Sequence, residues 1–244
     1  MIRNKLSFSI GNAKLKGDTA ILSLPAGHSC PAALACLSKA NKVTGKLTDG
    51  PASEFRCYAA SGENLFPVVR KSRWHNFNLL RGKTEMQMAD VIYKSLPTKC
   101  KLVRIHASGD FFSQTYFDAW VSVATVMSDK IFYAYTKALP YWIARRGSIP
   151  DNFKLVASLG GKHDDLILKH NLRNVLVVYS EEQAHKLGLP IDHDDTHAWN
   201  YDGDFALLIH GTQPKGTQAS KILYSLRRQG KGGYKSNYFG SKSK

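Results

Sequence analysis

Apolar residues recur along the chain as short, nearly continuous runs, with segments of helical spacing between them. Six of these runs are rich in β-branched and aromatic residues and are bounded by turn-forming residues, a pattern that predicts buried strands. They lie at 19–26, 101–108, 130–137, 153–160, 174–180 and 205–211. Because most positions in several of these runs are apolar, instead of every second one, we expect a parallel sheet covered on both faces.

Helical patterns separate the strands, and they lie at 83–96, 113–127, 139–146, 163–170, 180–188 and 217–230. Thr84 and Ser113 are suited to start the first two, and Pro97 to end the first. Regular alternation of strand and helix implies an α/β domain with right-handed crossovers. We predict parallel β/α units in a partial (β/α)6 barrel, with a doubly wound sheet as the alternative that the pattern leaves open.

One domain accounts for this alternation. We assign residues 1–230 to it, with a long cysteine-bearing loop at 27–82, and residues 231–244 to a basic, mobile tail. The longest apolar runs are shorter than a membrane helix requires, and the first residues lack the pattern of a signal peptide. We therefore expect no membrane association and a cytoplasmic location, where disulfides are uncommon.

Polar residues collect directly after the predicted strands. In parallel β/α folds the carboxyl ends of the strands meet at one edge, where ligands bind. The sequence therefore predicts a functional site at this edge. Its candidate residues are Cys30, His106, Ser108, Gly109, Asp110, Lys137, Gly160, Gly161, His163, His210 and Gln213.

Three of the four cysteines, Cys30, Cys36 and Cys57, lie in the loop after the first strand. Cys100 precedes the second strand and belongs to the opposite edge. The three are separated by five and twenty residues, without the close pairs that are typical of zinc sites. Three thiolates that leave one coordination position open suit an iron–sulfur cluster. Zinc binding, and simple packing of small apolar side chains, remain alternatives.

Positive charge is concentrated in two stretches of a chain whose net charge is +15. Residues 64–83 contain five Lys or Arg and residues 214–244 contain eight, with no acidic residue in either stretch. Interleaved aromatic residues are typical of surfaces that contact phosphates and stack on bases, so DNA or RNA is a candidate partner. A solvated basic surface is the alternative. The candidate contacts are Arg70, Lys71, Arg73, Trp74, Arg227, Arg228 and Lys231.

A second metal motif is the sequence HDDTH at 193–197. It places two histidines four residues apart, as in zinc proteases, but with Asp where those enzymes have Glu and outside a helical pattern. The aspartates at 192–204 could instead bind the divalent ion of a metal-dependent nuclease. The chain has no P-loop and no G-x-S-x-G motif, which argues against the enzyme classes that use them.

Several segments resemble a bacteriophage family that is named for gene product 88 of a mycobacteriophage. They are LPAGHSCPAALAC, FRCYAA, RIHASGDFFS, FYAYTK, DDTHAW and IHGTQPKG, and the likeness extends from about Gly11 to Gly233. This resemblance implies a phage-encoded protein in the cytoplasm of its host. It implies no particular reaction.

The cysteine loop after the first strand, with Phe55 and Tyr58 near its last cysteine, is more distantly similar to radical S-adenosylmethionine enzymes. The spacing differs from the C-x3-C-x2-C of those enzymes. The similarity implies that Cys30, Cys36 and Cys57 ligate a [4Fe–4S] cluster whose fourth iron binds S-adenosylmethionine. It also implies further roles: cofactor binding by Ser108, Gly109, Asp110, Gly160, Gly161 and Gln213, and catalysis by Asp110, Lys137, His163 and His210.

Overall fold

A seven-stranded sheet forms the centre of the structure, a computed structural model that describes residues 4–12, 15 and 17–230. A separate hairpin is made by the third and fourth strands. In chain order the strands are β1 (Ser9–Ile10), β2 (Thr19–Ser23), β3 (Ser38–Ala40), β4 (Leu47–Asp49), β5 (Leu102–Ser108), β6 (Ile131–Thr136), β7 (Phe153–Ser158), β8 (Asn174–Val178) and β9 (Phe205–Leu208). The six strands that the sequence predicts all form, and they are parallel to one another.

The strands of the large sheet lie in the order β1-β2-β5-β6-β7-β8-β9, with β1 antiparallel at one edge. The six parallel strands therefore follow chain order. A doubly wound sheet has a point at which this order reverses, and no reversal occurs among the described strands. This is a mixed α/β fold with a mostly parallel sheet. A partial (β/α)6 barrel remains a prediction.

Helices connect the strands. They are α1 (Tyr58–Leu65), α2 (Pro67–Leu80), α3 (Glu85–Ser95), α4 (Gln114–Val126), α5 (Leu139–Ile143), α6 (Asp165–Lys169), α7 (Glu181–Lys186), α8 (Thr196–Asn200) and α9 (Gln218–Arg228). The caps expected from the sequence are present, since the side chains of Thr84 and Ser113 accept hydrogen bonds from the first-turn amides of α3 and α4. Short α5, α6 and α7 make the remaining predicted connections.

The two faces of the sheet differ in chemistry. On one face, Val103, Ile105 and Phe132 are buried with side chains of α3 and α4 in the main hydrophobic core. The alternate positions carry Arg104, Tyr133 and Tyr135, and they lie on the other face, opposite the segment that leads into α8. Alternate residues of a strand point to opposite faces. These sequences therefore give the sheet a second face that carries a charge and hydroxyl groups, which we call the polar inner face.

Residues 27–82 are not the long loop that the sequence predicts. They contain the β3–β4 hairpin, α1 and α2, which begins with Pro67 at its first turn. The buried side of α2 includes Arg70 and Asn76, so its sequence lacks the apolar stripe by which a helix is usually detected. The predicted tail at 231–244 lies outside the described residues. In the described part of the chain, no helix has the length and apolar character needed to span a membrane.

Candidate cysteine site

Cys30, Cys36 and Cys57 line a single cavity of about 170 Å³, which we call the cysteine cavity. The cavity lies at the carboxyl ends of the parallel strands, where residues 108–110, Lys137 and His210 also line it. Cys100 is buried in the main core, as expected for a residue that precedes its strand. The structure therefore brings together the three cysteines that the sequence selects, although 26 residue positions lie between the first and the last.

The three cysteines are free thiols and are largely withdrawn from solvent. Burial raises the pKa of the Cys30 thiol well above its usual value and that of Cys36 to about 11. Burial also raises the pKa of Cys57, while the backbone amides of Ala60 and Ala59 at the start of α1 oppose the rise. These thiols are thus protonated at neutral pH in the metal-free protein, and binding to a metal would release their protons.

Among the described residues, no three His, Cys, Asp or Glu side chains are placed to hold one metal ion. Thiolates that share a zinc ion must approach one another to about 4 Å, given a Zn–S bond of about 2.3 Å and tetrahedral geometry. Thiolates of a polynuclear cluster bind different irons and stand farther apart.

Gly160 and Gly161 hold residues 30–57, which we call the cysteine segment. The carbonyl of Gly160 accepts hydrogen bonds from the amides of Leu34 (3.2 Å) and Ala35 (2.9 Å). Gly160 has a φ of +90°, and a β-carbon there would lie 2.8 Å from that of Ala35. The Asp164 carboxylate accepts from the amides of both glycines, at 2.7 and 2.9 Å. This turn therefore fixes the backbone between Cys30 and Cys36.

Gln213 has a similar positioning role, and its predicted role in cofactor binding remains a prediction. Its side-chain amide pairs with the backbone of Arg56, accepting from the amide at 2.8 Å and donating to the carbonyl at 2.9 Å. The Arg56 guanidinium in turn pairs with Asp49 of β4. The next residue, Cys57, donates its backbone amide to the Ser38 hydroxyl at 3.2 Å. Gln213 thus fixes the backbone that carries the third cysteine.

Asp110 and Lys137 line the cavity with opposite charges but are held by protein groups. The Asp110 carboxylate accepts from the Thr136 hydroxyl (2.6 Å) and from the Lys137 amide (2.8 Å). The Lys137 ammonium donates to the carbonyl and hydroxyl of Ser158, at 2.9 and 2.8 Å, and to the carbonyl of Leu159. Burial raises the pKa of Asp110, and its hydrogen-bond donors oppose this. Both groups are therefore fixed in place beside the thiols.

The turn at Ser108 and Gly109 joins two strand ends. The Ser108 hydroxyl donates to the carbonyl of Leu24 at 2.8 Å. Gly109 has a φ of +90°, and a β-carbon there would lie 2.5 Å from the Ser29 hydroxyl oxygen. Both residues line the cysteine cavity as predicted, but the Ser108 side chain is used to join the loops after β2 and β5.

Two of the three candidate histidines lie at the cysteine cavity. His210 lines the cysteine cavity, where its ring packs on Tyr58 with centroids 4.5 Å apart. His163 lies elsewhere, beside Pro31 and Tyr141 in a separate small cavity, so the structure does not bring it together with the other predicted catalytic residues. His106 also lines the cysteine cavity, with Nδ1 buried and without a hydrogen-bond partner. The apolar run around His106 gives no signal beyond its place near a strand end.

The aspartates of the HDDTH region lie under the cavity and not in an open metal site. Asp195 is fully buried, and its carboxylate pairs with Arg104 at 2.5 Å and accepts from the Tyr133 hydroxyl at 3.2 Å. Asp192 is buried near Tyr135 and His197. With the Asp195 charge satisfied by a buried arginine, this geometry does not favour the nuclease alternative.

The predicted nucleic-acid contacts divide into two groups. The Arg70 guanidinium is buried and donates to the carbonyls of Lys42, Val43 and Glu63, and Arg73 pairs with Glu63 at 2.9 Å. Lys42 lies over the half-buried ring of Trp74. Arg70, Arg73 and Trp74 thus contribute to the packing of the hairpin and α1. Lys71, Arg227 and Arg228 are exposed, while Lys231 lies outside the described residues.

Comparison with known proteins identifies the lineage. A family model described as Gene product 88 matches residues 3–228. The chain belongs to this family. It is 34% identical over 175 residues to the Gene 88 protein of Mycobacterium phage D29, a match that covers 62% of this chain and 65% of that protein. It is 32% identical over 160 residues to the Gene 88 protein of Mycobacterium phage L5, covering 61% and 59%.

These matches confirm the bacteriophage family that the sequence resembles. The chain spans less than two thirds of the length of both curated relatives. No solved structure matches it. The more distant likeness to radical S-adenosylmethionine enzymes remains a prediction.

Replacing Asp164 by Asn tests how the cysteine segment is held. An Asn side chain has one acceptor oxygen, so one of the two glycine amides loses its partner, and we expect a loss of about 1–3 kcal/mol in the free energy of unfolding. Urea denaturation measures this, and alkylation of Cys36 in the native protein should become faster. The matched control is Asp165→Asn at the adjacent exposed aspartate. Equal alkylation rates in the two variants would contradict this role.

His106 should make the protein sensitive to acid. Burial, and secondarily the charge of Arg104, lowers its pKa from 6.5 to about 3. The unfolded chain therefore binds this proton first on acidification, so stability is complete above about pH 6.5 and is lost as the pH falls towards 3. From pH 7 to 4, the loss in wild type should exceed that in His106→Gln by about 3 kcal/mol, at 1.36 kcal/mol per pKa unit.

Urea denaturation at the two pH values measures this difference. Asp110 contributes with the opposite sign, but both proteins retain it, so its contribution cancels in the comparison. His193→Gln, at an exposed histidine, should lose as much stability as wild type. If His106→Gln behaved in the same way as His193→Gln, the assignment of the acid sensitivity to His106 would be wrong.

Proposed function

We propose that this protein is an iron–sulfur protein of the radical S-adenosylmethionine type, with a substrate still to be identified. One observation carries the proposal. Cys30, Cys36 and Cys57 come from separate parts of residues 27–82 and line one cavity at the carboxyl ends of six parallel strands. Binding sites of β/α folds lie at this edge.

The chemistry of the donor set supports a [4Fe–4S] cluster. Cysteine thiolates are the usual ligands of such clusters, and three of them leave one iron open to a further ligand. The backbone amide of Gly27 donates to the Cys30 sulfur at 3.3 Å, a contact of the kind that tunes cluster potentials.

S-adenosylmethionine belongs to the proposal as the ligand of the open iron. When bound, the cluster and S-adenosylmethionine would supply the radical chemistry, and the protein would supply positioning and exclusion of water. Asp110 and Lys137 line the cavity with opposite charges, which suits the amine and the carboxylate of an amino acid. Lys137 already donates its three N–H groups to Ser158 and Leu159, so it would act on this ligand through its charge.

The proposed fold for this chemistry is the partial (β/α)6 barrel. Six parallel strands in chain order support it, since successive right-handed crossovers in one direction place the connecting helices on the same side. The polar inner face would then line the interior of the barrel beneath the cysteine cavity.

Iron content tests the proposal. Protein purified and reconstituted without oxygen should contain about four irons per chain and absorb broadly near 400 nm, as thiolate-held clusters do. Cys36→Ala should lose most of the iron, because one ligand in three is removed. Cys100→Ser, at the buried cysteine outside the cavity, should retain it.

Other metal contents would decide against the proposal in different ways. Stoichiometric zinc that is lost in Cys36→Ala would replace the cluster by a zinc site. No metal in folded wild-type protein would return the cysteines to a packing role. A cluster that binds without affinity for S-adenosylmethionine would remove the radical-enzyme part alone.

Nucleic-acid binding is a second candidate, favoured by the surface of α9. This helix contains no acidic residue, and Lys221, Arg227 and Arg228 are exposed on it. Tyr224 is 67% exposed beneath the Arg228 guanidinium. A basic helix with an exposed aromatic ring can combine phosphate contacts with stacking on a base. With Arg70 and Arg73 turned inward, α9 is the described surface that supports this function best.

Salt dependence of binding tests this candidate. Arg228→Gln should weaken binding of single-stranded DNA and lower the slope of log K against log salt by about 0.7, as expected for one phosphate contact. Tyr224→Ala should weaken single-stranded more than double-stranded DNA. The control Lys169→Gln removes an exposed cation from α6. A slope that falls equally in Arg228→Gln and Lys169→Gln would indicate general electrostatic attraction only.

A further inference from the structure

A second and larger cavity lies next to the cysteine cavity. This groove, which we call the lateral groove, has a volume of about 570 Å³ and runs between α2 and strands β1 and β2. Its volume is in the range of about 300–1,000 Å³ that is typical of small-molecule sites. Tyr58, Arg104 and Ala107 line both cavities. The Tyr58 hydroxyl donates to the carbonyl of Ala107, so these residues form a thin wall between groove and thiols.

The groove has the chemistry of an anion-binding site. Two arginines, Arg73 and Arg104, line it with serine hydroxyls, Asn12 and Asn76, and the Asn76 amide is paired with the backbone of Ser7 and Ser23. Among the described residues, no Asp or Glu lines it. The carboxylates that pair with the arginines, Glu63 and Asp195, are outside this lining. A ligand in the groove would therefore face cationic and neutral hydrogen-bonding groups.

Arg104 supplies an independent observation. Its side chain is largely buried, and its Nη1 lies 2.5 Å from the Asp195 carboxylate. Its Nε is buried and has no hydrogen-bond partner. A buried N–H without an acceptor is costly and is rare in native structures unless a ligand or water satisfies it. A guanidinium that is held by a carboxylate on one side can still donate to an oxyanion on another.

We propose that the lateral groove binds a small, polar substrate whose phosphate or carboxylate group is held at Arg104, behind the wall that separates it from the cysteines. The assignment of this ligand as a substrate rests on the proposed function. The binding itself does not, because the groove is formed by the protein alone. An oxyanion at Arg104 would place the rest of the molecule along the hydroxyl and amide groups of the groove, next to the cysteine cavity.

Binding to metal-free, full-length protein tests the proposal. The probes are adenosine monophosphate and citrate, with adenosine as the uncharged comparison, measured by isothermal titration calorimetry at low salt. We expect at least one anionic probe to bind and adenosine to bind at least tenfold more weakly. Phosphate and carboxylate sources are distinguished by which probe binds. Failure of both anions, or equal binding of adenosine, would overturn the proposal.

Variants locate the binding in the groove. Arg104→Lys keeps a cation opposite Asp195 but removes the planar guanidinium, and should weaken binding about tenfold or more. If this variant unfolds, Val68→Glu gives the answer, because Val68 lines the groove and is 79% exposed. The added negative charge should weaken anion binding about threefold. Val126→Glu, at a 71% exposed valine of α4, should bind as wild type does.

Binding that is unchanged in Val68→Glu and in folded Arg104→Lys would place the anion elsewhere and overturn the proposal. Iron content distinguishes this failure from failure of the proposed function. If the protein binds iron but no anionic probe, the cluster proposal stands and the groove proposal is wrong. If the protein binds an anion in the groove but no iron, the groove remains a ligand site and the radical-enzyme proposal is wrong.

Discussion

The docking of the cysteine segment onto the strand ends is the constraint on which the candidate site depends. This segment contributes small side chains, such as Ala33 and Ala35, and little apolar area to hold it in place. Backbone hydrogen bonds to Gly160 and the side-chain amide of Gln213 hold it instead. Because each such bond stabilises the fold by only about 1 kcal/mol, the position of the thiols depends on several strand ends together.

A buried ion pair supports the floor beneath the thiols. Arg104 lies on a face of β5 that an apolar residue would normally occupy, and the desolvation of its charge is offset by Asp195 and by the adjacent tyrosine ring of Tyr135. An ion pair of this kind adds little to stability compared with apolar packing. It does keep donors and acceptors in the interior, between the cysteine cavity and the lateral groove, where a polar ligand could use them.

The parts of this structure that could be predicted are those with a local signal. Apolar runs identify β5 and β6, and the strand-end rule places Cys30 and Asp110 at one edge before any contact is known. The hairpin and α2 could not be predicted in this way, because buried Arg70 and Asn76 interrupt the apolar pattern of that helix. Gly160 and Gln213, which the sequence assigns to cofactor binding, also hydrogen-bond to the backbone of the cysteine segment, and these contacts depend on partners far away in sequence.

The spacing of the cysteines has a physical consequence. In a compact motif, the local backbone fixes the three sulfurs with respect to one another. Here the hairpin lies between Cys36 and Cys57, and Cys57 directly precedes α1, so the sulfurs are positioned only when the hairpin, α1 and the strand ends are assembled. Binding of a metal cluster to these residues would therefore be coupled to folding of the whole edge, since its free energy adds to the native state and not to the unfolded chain. A long spacing is thus compatible with a cluster when tertiary contacts, instead of a short loop, fix the relative positions of the three sulfurs.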